Sequence, residues 1–445
     1  MNFKTARPTC AVLMSGGVDS SVAALRLLEM GHRPIGITLL MAPWNAEDSP
    51  SVIRARETAK RLNMEHLVLD LRDLFEKEVL RPFREQYANG RTPNPCSDCN
   101  RGVKLGGVAE ILDRTQGLAG IWIATGHYAR IVREDPQGFA RLMTGRDRRR
   151  DQSYFLADVP RMVLERLIFP LGDMESKEAV RKAAEEAGLP AAREVDSMDV
   201  CFAQSGRYED VLGEEAFREG PIVDCQGNEI GRHRGVGLFT VGQRKGLGLS
   251  SPTPLYVKAL RPPVVVVAPR EELLARRVSA RGCNVLTRTP VTQGMPFLGK
   301  TRSQGEATPC EVLEFQGDRI SVLFHQPVFA PCPGQRLVLY HEDGTVARGG
   351  DHSRLIRQGL RRSLLFDHPM DLETPHLLHE TACQILKAVR LAVGSGGKPG
   401  HPIHHIPQIT NILHYPSEDP GHLRCGITAL TAQLLLPTGG YPHPL

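Results

Sequence analysis

A short apolar run, Cys10 to Met14, stops at Ser15-Gly16-Gly17, and a helical pattern follows from about Ser20 to Met30. A strand that breaks on paired glycines and reopens as a helix is how helix-covered parallel sheets carry a ligand loop at the strand ends. Paired glycines let the backbone approach an anion closely and turn its N–H groups inward. The helix N-terminus adds partial positive charge, and Ser15, Ser20 and Ser21 supply hydroxyl donors. No lysine closes the motif, which separates it from loops that grip β- and γ-phosphates through a Lys. A plain turn ahead of a capped helix is the bland alternative, and the whole string Ser15 to Ser21 weighs against it.

The alternation continues. Gly31 stands where a C-cap glycine would, Ile35 to Leu40 and His66 to Leu71 read as strands, and so does Ile121 to Ala124. Val52 to Leu62 and Asp73 to Tyr87 read as helices. The fold class expected is α/β, a doubly wound parallel sheet followed by two small β-rich domains. Past about residue 205 hairpin signals take over: Pro221 to Arg232 around Gln226-Gly227-Asn228, and a β-branched run at Val264 to Ala268. Two more lie in Pro309 to Phe324 and Gln335 to Ala347. With about 100–200 residues per domain, the 445-residue chain divides into 1–205 (catalytic), 206–275 (central β-rich), 276–360 (C-terminal β-barrel) and 361–445 (an atypical tail).

Composition excludes whole classes. The chain is 41% apolar and 24% charged, as folded soluble proteins are. Its net charge of +5 forces no nucleic-acid partner, so such a surface has to be a local patch. No run reaches the roughly 18 apolar residues of a membrane span. Only about five apolar residues precede the first glycines, too few for a secretory core, so a cytoplasmic protein is expected. Ten cysteines are too sparse for a disulfide scaffold and should be free, catalytic or metal-bound. The tail has one plausible helix, Pro375 to Val393, and nine of the 16 histidines, including His401, His404 and His405. No second ligand group stands at a recognisable spacing, so weak order is expected there over metal binding.

Three cysteines have a chemical context. In Thr92-Pro93-Asn94-Pro95-Cys96-Ser97-Asp98-Cys99-Asn100 two prolines fix an extended segment that ends at a CxxC pair. A helix starting near Ser97 would put Cys99 in its first turn, where the dipole, Arg101 and Lys104 favour thiolate. A lone CxxC fits a redox pair, half a metal site or chance. In Asp196-Ser197-Met198-Asp199-Val200-Cys201-Phe202, Cys201 sits in a loop or in a buried structural position.

Taken in order, these strings resemble the bacterial tRNA-specific 2-thiouridylases, members of the ATP pyrophosphatase loop superfamily. The resemblance rests on SGGVDSS (Ser15–Ser21), TPNPCSDCNRGVKLG (Thr92–Gly106), ATGHYAR (Ala124–Arg130) and RDQSYFL (Arg150–Leu156). It continues through DSMDVCF (Asp196–Phe202), FTVGQRKGLGL (Phe239–Leu249) and PGQRLVLY (Pro333–Tyr340). It spans about residues 8 to 350 and leaves out the tail.

The resemblance implies ATP, with Mg2+, on Leu13, Met14, Ser15, Gly16, Gly17, Val18, Asp19 and Ser20, with Met41 and Gly126 at the adenosine end. AMP would go to the oxygen on carbon 2 of the wobble uridine, and sulfur would then displace it. Cys201 would carry a persulfide delivered by a sulfur-carrier protein or a cysteine desulfurase relay. Cys99, the nucleophile, would release that sulfur and leave a Cys99–Cys201 disulfide. The anticodon arm of tRNA would meet Asn94, Pro95, Cys96, His127, Arg150, Asp151, Gln152, Arg302, Ser303 and Gln335. One departure stands out: the commoner motif has Asp at the position of Cys96, whose role would be vacant or moved to Asp98. Cys96, Cys99 and Cys201 could instead hold three irons of a [4Fe–4S] cluster. The other cysteines read as packing residues. The run Arg146 to Arg150 reads as a tRNA contact or as a solvated charge cluster. An amidating ATP pyrophosphatase shares only the first loop and has no use for the CxxC. A non-catalytic RNA-binding module leaves the ATP loop unexplained.

Overall fold

The computed structural model describes residues 8–133, 139–194, 201–203 and 207–352. The expected tail helix, the tail histidines and Asp196 to Val200 lie outside the described residues.

The apolar run after Pro8 forms β1 (Thr9–Leu13), buried from Cys10 onward because strands flank it on both sides. Helix α1 (Val18–Glu29) follows the glycine loop, and Gly31, at φ +84°, ends it as expected. The N–H of His32 reaches back to the Leu27 carbonyl at 2.9 Å, satisfying an otherwise orphaned helix-end acceptor. Next come β2 (Arg33–Leu40), α2 (Pro50–Arg61), with proline in its first turn, and β3 (His66–Asp70).

The single helix expected from Asp73 to Tyr87 is instead three joined pieces: α3 (Arg72–Phe75), a π turn (Glu76–Leu80) and α4 (Arg81–Ala88). Pro82 lacks the N–H an unbroken ladder needs, and the wider turn before it absorbs the mismatch. A second π turn (Asn100–Lys104) joins α5 (Pro95–Cys99) to α6 (Gly106–Arg114). Strand β4 (Trp122–Ala124) precedes a separate antiparallel hairpin of β5 (Ala129–Val132) and β6 (Arg141–Thr144). Short helices α7 (Ser153–Leu156) and α8 (Arg161–Leu164), the two-residue β7 (Leu167–Ile168) and α9 (Lys177–Glu186) complete the unit. The sheet runs β3-β2-β1-β4-β7, every pairing parallel, so the order reverses beside β1. That reversal opens a crevice at the carboxyl end of β1, where the glycine loop lies.

A four-stranded sheet follows, β8 (Gly220–Val223), β9 (Glu229–His233), β10 (Leu255–Arg261) and β11 (Val264–Pro269), in the order β10-β11-β8-β9. The β8–β9 turn is held by the Asp224 carboxylate, which accepts from the N–H groups of Gln226 and Asn228 at 2.9 Å each. The last unit is a closed antiparallel barrel of β12 (Leu274–Val285), β13 (Pro296–Lys300), β14 (Thr308–Gln316), β15 (Arg319–Phe329), β16 (Arg336–Tyr340) and β17 (Val346–His352). The α/β sheet followed by two small β-rich units is the fold class the sequence led us to expect.

Strand β16 is buried along its whole length, because alternate residues serve two cores. Leu337 and Leu339 pack inside the barrel with Val312, Val322 and Phe324. Val338 and Tyr340 join the core of the first unit with Leu156 and Val159. The barrel therefore packs on the α/β unit as a continuous interior. Among the described residues no helix is long and apolar enough to cross a membrane.

Candidate active site

The loop after β1 is rigid for reasons visible residue by residue. Gly16 sits at φ +75°, and a Cβ there would lie 2.0 Å from the Ser51 carbonyl oxygen, so only glycine fits. The Ser20 hydroxyl accepts the Ser15 N–H at 3.1 Å and donates to the Gly17 carbonyl at 3.0 Å. Ser21 Oγ donates to the same carbonyl, also at 3.0 Å. This corrects one expectation: the Ser20 and Ser21 hydroxyls shape the loop, while Ser15 is the exposed one. Arg54 Nε donates to the Gly16 carbonyl at 3.3 Å, placing a guanidinium beside the loop.

Asp19 is clamped from both sides. Lys177 Nζ lies 2.7 Å from each carboxylate oxygen, and the Tyr128 hydroxyl donates to it at 2.7 Å. The Lys177 side chain is only 4% exposed, so this charge is committed to Asp19 and fixes the start of α1. Gly126 lies against the same place: a Cβ on it would fall 2.8 Å from the Asp19 carbonyl carbon. Lys177, Tyr128 and Arg54 escaped sequence reasoning, since none belongs to the loop motif and α9 is far along the chain.

The thiols gather one layer away. Helix α5 starts at Pro95, two residues before the expected position, with the Asn94 side chain accepting the Ser97 N–H at 3.1 Å. Cys96 is exposed and Cys99 buried; Cys201 is exposed, and all three are free thiols. Cys99 Sγ lies 4.0 Å from Met41 Sδ, which ties the thiols to the loop after β2. Cys201 is held by its neighbour Phe202, a buried ring 5.2 Å from Phe83 and 5.8 Å from Phe75.

Lys104 supplies the charge at the centre. Burial works against its ammonium, but the thiols of Cys99, Cys201 and Cys96 acting on it more than offset that, and its pKa is raised. The expectation that Cys99 is a thiolate fails. Burial pushes its thiol up to about 12, and Lys104 pulls it only part of the way back. Cys96 is likewise raised, because neighbouring protein takes water from its thiol even though the residue keeps a solvent-exposed surface. A dipole at the end of so short a helix cannot compensate for that loss of water. His127 is held neutral, its pKa lowered to about 3 by burial and by the Lys104 charge, and its Nδ1 lies 2.6 Å from Thr125 Oγ1.

The remaining candidates fall into two places. Gln152 Oε1 accepts the Tyr128 N–H at 2.9 Å, next to the loop clamp. Asp151 accepts from Gly145 N–H at 3.0 Å and from the Ser153 hydroxyl at 2.8 Å, so it shapes the turn before α7; Arg150 is exposed. Arg302 donates to the carbonyls of Val241 and Ala330 at 2.5 and 2.9 Å, bracing the central sheet against the barrel, with Ser303 half-buried beside it. Gln335 Nε2 donates to the carbonyls of Thr92 and Pro93 at 3.1 and 3.2 Å. Asp98, the expected alternative to the missing aspartate, is buried and paired through one oxygen with Arg336 at 2.6 Å. Among the described residues no group of three or more His, Cys, Asp or Glu is placed to hold a metal ion.

Comparison with known proteins agrees with this layout. Three family models match in series: a tRNA methyl transferase HUP domain over residues 8–205, a tRNA methyl transferase PRC-barrel domain over 209–268 and an aminomethyltransferase beta-barrel domain over 276–350. The tRNA-specific 2-thiouridylase MnmA of Syntrophotalea carbinolica is 42% identical over 349 residues, 76% of this chain and 97% of that protein. The bifunctional protein NifU/MnmA of Rubrobacter xylanophilus is 45% identical over 345 residues, 76% of this chain and 68% of that protein. A solved U34-tRNA thiolase NcsA from Methanococcus maripaludis, with its [4Fe-4S] cluster, aligns over 41% of this chain and 58% of that one at 20% identity and a TM-score of 0.26. With a relative 42% identical along 97% of its length, the chain belongs to the family of tRNA-specific 2-thiouridylases.

Proposed function

We propose that this chain converts the wobble uridine of tRNA to 2-thiouridine at the expense of ATP. The observation that carries the reading is the nesting of three thiols around Lys104, with Cys99 against Met41 in the loop after β2, at the same sheet edge as the glycine loop after β1. ATP enters as its Mg2+ complex, with its phosphates over Leu13 to Ser20 and its adenosine near Met41 and Gly126. The oxygen on carbon 2 of uridine attacks the α-phosphorus, pyrophosphate leaves, and the base becomes O-adenylated. A hydroxide-like leaving group is thereby replaced by AMP.

The exposure of Cys201 suits it to accept sulfur from a protein donor, and a relative fused to a second protein supports such a partner. The terminal sulfur of a Cys201 persulfide attacks carbon 2, and AMP departs with the original oxygen. Cys99, as thiolate, then attacks Cys201 Sγ and breaks the S–S bond. The sulfur stays on the base, and a Cys99–Cys201 disulfide remains for a two-electron thiol reductant to open. Lys104 is the group that makes a thiolate at Cys99 accessible, by opposing the burial that disfavours it.

The tRNA side is proposed on the same footing. The uridine has to leave its stack to reach the loop, with Asn94 to Cys96, His127 and Arg150 to Gln152 lining its path. Arg302, Ser303 and Gln335 would brace the barrel that meets the anticodon arm. The test is a purified chain, a transcript with a uridine wobble base, ATP and a persulfide donor, with thiouridine read by nucleoside mass spectrometry. Product formed at an equal rate without ATP would remove the adenylation step.

A further inference from the structure

The segment that carries Cys96 and Cys99 is tied to the start of β16 and the turn before it. The Thr92 N–H donates to the Pro333 carbonyl at 2.9 Å, and Gln335 donates to the carbonyls of Thr92 and Pro93. Gly334, at φ +98°, lies so near that a Cβ on it would sit 2.6 Å from the Thr92 oxygen. Arg336 starts β16 and shares the face of Val338 and Tyr340, which packs on the α/β unit. Its side chain is 7% exposed and its fork is fully used. One terminal nitrogen donates to Asp98 at 2.6 Å, Nε donates to Asp158, and the other terminal nitrogen donates to the Gly334 carbonyl at 3.2 Å. Its own backbone N–H and carbonyl are both taken by the Tyr154 hydroxyl, at 3.1 and 2.8 Å.

We infer that Arg336 is a positioning residue for sulfur transfer: from the barrel it holds Asp98, and through Asp98 it sets where helix α5 presents Cys99. Asp98 lies between the two cysteines on a single turn, so anchoring its carboxylate restrains the turn that carries both. A planar guanidinium fixed on three different partners transmits position in a way a point charge does not. The inference rests on the role given above to Cys99, which must pass from a buried site to one where it meets Cys201.

The test uses the full chain in three forms: wild type, Arg336→Lys, which keeps the charge and loses the fork, and Asp98→Ala, which cuts the arm to α5 together with a longer pair to Arg101 at 3.9 Å. Two readouts are taken: kcat and KM for tRNA thiolation, and the rate of Cys99 alkylation by iodoacetamide, followed by peptide mass well below the melting temperature. Both variants should lose about tenfold or more in kcat, while KM for tRNA moves less than about threefold. Cys99 should alkylate about tenfold faster as α5 loosens. A purely structural role would lower the melting temperature and leave alkylation and the kcat/KM split unmoved, which would overturn the inference. Should Arg336→Lys fail to fold, Asp98→Ala decides alone. Alkylation needs neither tRNA nor ATP, so it judges Arg336 even if wild-type chain makes no thiouridine, a result that would sink the functional reading instead.

Discussion

Replacing Gly16 by alanine tests the loop where its geometry is tightest. At φ +75° an L-residue pays about 1–2 kcal/mol over glycine. Its Cβ would also lie 2.0 Å from the Ser51 carbonyl oxygen, a full ångström inside any tolerable contact, so either the loop or the start of α2 has to move. Moving the loop strains the bonds of Ser15 and Ser20 and those of Ser20 and Ser21 to Gly17, each worth about 1 kcal/mol. A loss of about 3 kcal/mol confined to the loop corresponds to about a hundredfold in ATP affinity. Gly117→Ala is the matched control: φ is +81°, but nothing lies within 4 Å of the new Cβ. It should cost stability only, about 1 kcal/mol, and leave ATP binding intact. Calorimetric titration with ATP separates the two. Wild-type affinity in Gly16→Ala, with the fold intact by circular dichroism, would refute the claim that this loop cradles the phosphates.

Other outcomes follow from the same geometry. Cys99→Ser and Cys201→Ser should each lower thiolation at least about a thousandfold, read by nucleoside mass spectrometry; full activity in either would contradict the relay. Because burial holds the Cys99 thiol up to about 12, iodoacetamide should label exposed Cys201 well before Cys99 at pH 8, and Cys99 labelling should climb steeply toward pH 11. Equal labelling rates at pH 8 would say that the thiol is not buried as described. His66 has its pKa lowered to about 4, first by burial and then by Arg56. The unfolded chain therefore binds more protons between about pH 6.5 and 4, and the stability His66 gives above that window drains away as pH falls through it. Denaturant melts across that range should lose part of their slope in His66→Gln, and an unchanged slope would disprove the assignment.

Much of the architecture could be read from the chain because its signals are local. The glycine loop, the Gly31 stop and the turns at Gly227, Gly317 and Gly344 each depend on a backbone conformation that one residue type supplies. What the sequence hid depends on distance along the chain. Lys177 clamps Asp19 from 158 residues away, and Arg336 meets Asp98 across 238. Strand β7, two residues long, carries no periodicity to detect. The thiolate expected at Cys99 failed for a related reason: helix position is local, but the burial that decides its pKa comes from packing. The pairing of Asp98 is similar, since its charge was visible and its partner Arg336 was not.

The most direct measurement is a single turnover with persulfide-loaded protein, ATP and tRNA, quenched and split between nucleoside and peptide mass spectrometry. The account predicts one 2-thiouridine for each peptide in which Cys99 and Cys201 have become covalently joined. Thiouridine accumulating while both cysteines remain reduced would contradict it.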